Sequence, residues 1–193
     1  MGVAPLTRSS SILPTSIEGC LVVTLKAFND GRGSFVKNFQ EAEFREAGLE
    51  AQFPEEFYTR SVEGVLRGIH FTVPPIDQVK VVTCVCGAVL DAVVDLRRDS
   101  PTFGQHLLFE LSGERPMSLY IGRGLGHAFY VPSGEALLLY RVSTSYQAEF
   151  DAGIRWDSAG IDWPTASPML SDRDKRLPAL SEFSSPFSIR GER

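Results

Sequence analysis

Residues 79–96 read VKVVTCVCGAVLDAVVDL, two apolar runs rich in β-branched residues that meet at a single glycine, Gly87. Val79–Val85 and Ala88–Leu96 have the length of strands rather than helices, and their side chains suit a pleated, packed surface. The same pattern repeats outward in both directions. Upstream lie Gly64–Phe71 and Cys20–Phe28 (CLVVTLKAF), the latter followed by a turn at Asn29-Asp30-Gly31-Arg32-Gly33. Downstream lie His106–Leu111, Ser118–Ile121, His127–Val131 and Ala136–Val142. Turn residues separate the runs: Pro74-Pro75, Ser100-Pro101, Gly113, the stretch 122–126 and Pro132-Ser133-Gly134. Many short strands with regular breaks predict an all-β sandwich or barrel, and the lack of helical runs between them argues against a parallel α/β sheet. One short helix is predicted over Gln40–Gly48, with Phe44 on its apolar side and Gly48 as its stop. The whole chain, 1–193, is read as one domain. Within it, about residues 1–18 are expected to form a loose arm, and about 164–193 a loop extension with a short helix.

Composition narrows the function. Charged residues make up 22% and apolar residues 43%, ordinary for a globular chain, which excludes a largely disordered or fibrous one. The net charge is −5 and no Lys/Arg-rich run is present, so nucleic acid is not expected as a partner. A few arginines in a cleft would still serve a small anionic ligand. No apolar stretch approaches the roughly 20 residues of a membrane span, and residues 1–19 lack the apolar core of a signal peptide. With an odd count of three cysteines (Cys20, Cys84, Cys86), the chain is expected to be cytoplasmic with reduced thiols. Cys84 and Cys86 are expected to share one strand face as small core residues.

There are only three histidines. His70 closes Val65-Leu66-Arg67-Gly68-Ile69-His70, where strict alternation puts Arg67 and His70 on opposite faces unless a bulge at Gly68 turns both inward. His127 follows the glycine-rich Gly122-Arg123-Gly124-Leu125-Gly126, which suits either close backbone approach or a plain hairpin. His106 sits on an ordinary strand. A histidine on the central strand of a double-stranded β-helix raises the metal site of the cupins. Thr72 stands where that site's second histidine belongs, and no glutamate follows at a suitable spacing. Two imidazoles alone make a poor transition-metal site, so no metal or other cofactor is expected.

The order of motifs is informative. Asp30-Gly31-Arg32-Gly33-Ser34-Phe35 precedes Val65–Phe71 and Gln78–Val82. Then follow Asp95–Gly104 (DLRRDSPTFG), Gly126-His127-Ala128-Phe129, Tyr140, Trp156-Asp157 and Leu170-Ser171-Asp172-Arg173-Asp174. From about Cys20 to Leu180 the chain resembles the dTDP-4-dehydrorhamnose 3,5-epimerases, cupin-like enzymes that need no metal. The resemblance implies an antiparallel jelly roll, or double-stranded β-helix, and a homodimer that shares its sites between subunits.

It also implies a chemistry. The family inverts carbons beside the C4 ketone of a nucleotide-linked 4-keto-6-deoxyhexose by removing an α proton, forming an enolate and returning a proton to the opposite face. His70 matches the family's base, and an imidazole with an ordinary pKa near 6.5 suits that task. Asp174 matches the carboxylate that orients it, Lys80 the cation beside the enolate oxygen, and Tyr140 the far-side proton donor. Arg67 and His127 match sugar- or phosphate-facing positions. Arg32 and Phe35 match nucleotide contacts made across a dimer, and Tyr146 a further aromatic near the nucleotide.

The chain also departs from the common pattern. Glu55-Glu56-Phe57 replaces Gln-Asp-Asn, ahead of Tyr58-Thr59-Arg60-Ser61, so Glu55 and Arg60 join the candidate substrate contacts. Thr72 replaces Gln, Ala128 replaces Gly, and Lys37 stands where Glu is common. These changes touch the pocket and leave the proton-transfer set intact. The expected function is epimerisation at C3, C5 or both of a nucleotide-linked sugar, dTDP above all. The alternatives are 3,4-ketoisomerisation on the same fold or nucleotide-sugar binding without turnover.

Overall fold

The computed structural model describes residues 10–189. Its strands in chain order are β1 (Ser10–Pro14), β2 (Cys20–Leu25), β3 (Ala27–Asp30), β4 (Gly33–Val36), β5 (Glu55–Val62), β6 (Leu66–Thr72) and β7 (Lys80–Cys86). Then come β8 (Ala88–Asp95), β9 (His106–Ser112), β10 (Met117–Ile121), β11 (Leu125–Tyr130), β12 (Glu135–Val142) and β13 (Asp151–Gly153). A six-stranded sheet runs β1-β2-β10-β7-β12-β5, a five-stranded sheet β13-β6-β11-β8-β9, and β3-β4 form a separate ribbon. The pairings are antiparallel, which makes the molecule the expected all-β jelly roll.

The two sheets face each other over a core that includes Val82, Cys84, Val93, Leu119, Phe129 and Leu138. Their outer faces are covered as well. Phe44 of the helix α1 (Glu41–Glu46) packs with Val79, Val81 and Tyr120 on the six-stranded sheet. Ile154, Ile161, Trp163 and Phe187, from the chain after β13, pack with Leu66, Ile69, Phe71 and Val94 on the five-stranded sheet. Being covered on both sides, these strands carry continuous apolar runs, and β11 is buried at every position. A polar residue at an inward position therefore stands out.

Three expectations change. Residues 10–14 of the supposed loose arm form β1, paired with β2 from Ser10↔Leu25 to Pro14↔Leu21; residues 1–9 lie outside the described residues. β5 escapes the sequence pattern because EEFYTRSV is mostly polar; it lies at the sheet's edge, where solvent accepts charged side chains. Cys86 is exposed, because the β7–β12 register shifts between Cys84 and Cys86 and breaks their shared parity. Three turns of 3-10 helix, at Ala148–Phe150, Asp174–Arg176 and Leu180–Glu182, punctuate the C-terminal segment. Among the described residues no helix is long and apolar enough to cross a membrane.

Candidate active site

Parity on the strands gathers the polar residues in one place. Lys80 shares the inward parity of Val82 and Cys84, Tyr140 that of Ala136 and Leu138, His127 that of Leu125 and Phe129, and Asp91 that of Val89 and Val93. Arg67 and His70 are brought together by a bulge. Along the β6–β11 ladder His70 pairs with His127 and Arg67 with Phe129, three steps on one strand against two on the other. Leu66, Ile69 and Phe71 thereby all reach the outer cluster, which leaves Arg67 and His70 on the inner side. Gly68 makes this possible: its φ is +125°, and a Cβ there would lie 2.5 Å from the Cβ of Ala128. The bulge alternative is thus the one the chain adopts.

His70 is the centre of the cluster. Its Nε2 lies 2.5 Å from Asp174 Oδ1. A carboxylate only accepts, so a neutral imidazole here carries its proton on Nε2 and keeps the lone pair on Nδ1. Asp174 is 2% exposed and sits on the 3-10 turn after Ser171, whose Oγ accepts its backbone N–H at 3.0 Å. Burial pushes the imidazole pKa down and outweighs the opposing pull of Asp174, so the ring is held below its usual range. Burial pushes the Asp174 carboxyl up, but the hydrogen bond and charge of His70, with Ser171 and Arg173, leave it lowered.

Lys80 Nζ donates to the carbonyl oxygen of His70 at 3.4 Å. Burial brings its pKa down to about 8, opposed by Asp151 and assisted by Arg173. His70 and Lys80 open into a cleft of about 350 Å3, also lined by Glu55, Phe57, Thr72, Asp151 and Tyr146, a volume suited to a small ligand. Glu55 Oε2 accepts the backbone N–H of Tyr146 at 2.9 Å and so ties the edge strand to the loop across the cleft mouth.

Tyr140 is 6% exposed, and its pKa is raised, by burial first and then by the charge of Asp91. Its ring stacks on Phe57 and meets the His127 ring edge-on, with centroids 5.9 Å apart. His127 Nε2 is 2.8 Å from Asp91 Oδ2, a second imidazole–carboxylate pair, fully interior. Burial raises the Asp91 carboxyl and His127 opposes it. Arg67 donates from Nε to Ser61 Oγ at 3.0 Å, and its charge acts on Tyr140.

The remaining candidates lie apart. Arg60 is on the other face of β5 and pairs with Glu135 at 2.7 Å. Arg32 pairs with Asp30 at the tip of the β3–β4 ribbon, and Phe35 is 59% exposed beside Phe28. None of these three lines the cleft; Tyr140, His127 and Arg67 do not line it either, but Tyr140 and His127 adjoin it through Phe57 and His70. Conversely, Asp91, Asp151 and Arg173 were missed. Asp91 had a signal, a carboxylate inside AVLDAVVD; Asp151 opens the three-residue strand β13 in a polar stretch, and Arg173 lies in the motif at 170–174 with nothing local to give it a role. Among the described residues no three His, Cys, Asp or Glu gather as metal ligands.

The family model described as dTDP-4-dehydrorhamnose 3,5-epimerase matches residues 14–182. The dTDP-4-dehydrorhamnose 3,5-epimerase of Shigella flexneri is 39% identical over 167 residues, 85% of this chain and 92% of that one. A dTDP-4-dehydrorhamnose 3-epimerase of Streptomyces niveus is 40% identical over 172 residues, 88% of this chain and 83% of that one. The crystal structure of an epimerase from Legionella pneumophila in complex with dTDP-4-keto-L-rhamnose superposes with a TM-score of 0.86 at 34% identity, covering 90% of this chain and 94% of that one.

Proposed function

The chain belongs to the dTDP-4-dehydrorhamnose 3,5-epimerase family, and on that premise we propose how its own residues carry the reaction. It is an isomerase of deoxysugar biosynthesis that epimerises a dTDP-linked 4-keto-6-deoxyhexose. The observation that supports the residue assignment is the His70–Asp174 pair opening into one cleft with Lys80.

His70 is the base. Its lowered pKa keeps the ring neutral at pH 7, and the Nδ1 lone pair takes a proton from the carbon next to the ketone. The electron pair of that C–H bond moves into an enolate, whose oxygen gains most from the ammonium of Lys80. Tyr140, held protonated by burial, gives its proton to the opposite face of the carbon and inverts it. Asp174 positions the base. Arg67 and His127 face the sugar or its phosphates. Glu55 and Tyr146 frame the mouth of the cleft.

Arg32 and Phe35 act in trans in this reading. They sit on a ribbon paired with neither sheet, so a symmetric homodimer would bring them to the partner's nucleotide. Arg60, on the outward face of the edge strand β5, is likewise assigned to a substrate bound across the dimer. This reading takes the reaction to run in the cytoplasm. Light scattering should find a dimer at micromolar concentration, and a species of monomer mass alone would remove the trans assignment.

Proton NMR in deuterium oxide with the dTDP-linked 4-keto-6-deoxyglucose tests the function. Solvent deuterium should enter C3, C5 or both, with the carbonyl staying at C4. A carbonyl that migrates, or a sugar that binds and takes up no deuterium, would refute the reading. Which carbons exchange decides between one inversion and two.

A further inference from the structure

Beside Lys80 lies a second set of charges that the steps above leave unused. Asp151 opens β13 and lines the cleft with His70 and Lys80. Arg173 Nη2 lies 2.9 Å from Asp151 Oδ1, and the same nitrogen donates to the carbonyl oxygen of Ala152 at 3.4 Å. Arg173 directly precedes Asp174, so one turn of chain sends a carboxylate to His70 and a guanidinium to Asp151. Asp151 thus pairs with Arg173 while it lines one cleft with Lys80. The charged and titratable groups around Lys80 are His70 on β6, with Asp174 on its ring, Asp151 on β13, Arg173 on the C-terminal turn, and Glu55 and Tyr146, which line the same cleft.

We propose that the Asp151–Arg173 pair is a positioning device for Lys80, in which Asp151 keeps the ammonium charged and Arg173 keeps that charge from being fully neutralised. The proposal rests on the reading of Lys80 as the cation at the enolate oxygen. A lysine in a tight, private ion pair has little field left for a developing enolate, and a lysine with no counter-ion in a desolvated cleft gives up its proton. A carboxylate that also serves an arginine avoids both extremes. The electrostatics run the same way: Asp151 raises the Lys80 pKa while Arg173 lowers it, around a value of about 8.

Because the two halves of one salt bridge pull Lys80 in opposite directions, their removal should have opposite effects. The test is an NMR titration of Lys80, one of four lysines, as its 13C-dimethyl derivative, assigned by its absence in Lys80→Arg. Asp151→Asn should lower the titration midpoint by about one pH unit, and Arg173→Gln should raise it. Asp151→Glu should restore it. The alkaline limb of kcat for deuterium uptake should follow the midpoint in each variant. A salt bridge that only fastens the C-terminal segment would answer alike to either loss. Shifts of the same sign, no shift in either variant, or a glutamate that restores nothing would overturn the proposal. Both side chains are partly solvent-exposed, 23% and 40%, so the variants should fold. Failure of the functional reading would show separately, as a wild-type protein that takes up no deuterium at any pH while Lys80 still titrates as predicted.

Discussion

Phe57 lies flat on Tyr140, with ring centroids 4.9 Å apart and planes 10° from parallel, and the two residues pair directly across β5 and β12. With His127 edge-on at the same ring, Tyr140 is held from two sides. These two contacts set the orientation of the ring and with it the position of its hydroxyl oxygen.

Tyr140→Phe keeps this ring packing and removes only the acid. The enolate still forms at His70 and can be reprotonated from the same side. Deuterium uptake at C3 or C5 should persist while net inversion slows by about 10-fold or more, against the 10²–10⁴-fold typical of a general acid–base group. Comparing uptake with stereochemical outcome by NMR checks it; normal inversion would remove Tyr140 from the assignment.

His70→Ala should abolish uptake and inversion together, since no enolate forms without a base. The wild-type kcat/KM should fall on the acid side as His70 protonates, at a pH below the usual 6.5, because burial lowers its pKa. Asp174 adds a stability effect. Its folded pKa is depressed, so the carboxylate stabilises the fold above its unfolded pKa of about 3.9, and that contribution is lost as pH falls through the folded value. Urea unfolding of Asp174→Asn should show a deficit at pH 7 that narrows towards pH 2.

Lys80→Met trades function for stability. The folded pKa of about 8 lies below the 10.5 of a free lysine, so the unfolded chain binds the proton more tightly. Wild-type stability should rise with pH between these values. Below them the buried ammonium costs up to about 3 kcal/mol, at 1.36 kcal/mol per unit. The variant should therefore melt higher at pH 7, an advantage that fades between about pH 8 and pH 10.5, while uptake slows by an amount comparable to losing an oxyanion donor, about 2.7–4 kcal/mol. A variant that melts lower at pH 7 would contradict the sign.

Gly68→Ala strikes the bulge. The new Cβ would meet Ala128 at 2.5 Å and the carbonyl oxygen of His127 at 2.7 Å, on a residue whose φ is +125°. Strain of about 1–3 kcal/mol for the backbone, with a similar amount for overpacking, should show as a lower urea midpoint. Since the bulge faces both Arg67 and His70 inward, activity should fall even where the protein remains folded.

Most of the fold was legible because both sheets are covered on both faces, so their strands read as apolar runs broken by glycine and proline. β1 and β5 were not, for the physical reason that edge strands need no such runs. In the site, Lys80 and Asp91 break apolar strands at inward parity and are visible in the letters alone. The pairing of His70 with Asp174 joins positions 104 residues apart and follows from no local pattern. Only the motif order hinted at it. The Asp151–Arg173 pair had no local signal, since β13 has only three residues, too few to show a period, and Arg173 stands at the start of a short turn.

The carboxylate that orients His70 arrives from the far end of the chain, on a segment that belongs to neither sheet. A chain cut after β12 would keep nearly every strand of both sheets and expose the apolar face that Ile154, Trp163 and Phe187 now cover. It would also leave its imidazole unsupported, with either ring nitrogen free to carry the proton. The same C-terminal segment thus both seals the outer face of the five-stranded sheet and fixes which nitrogen of His70 carries the proton.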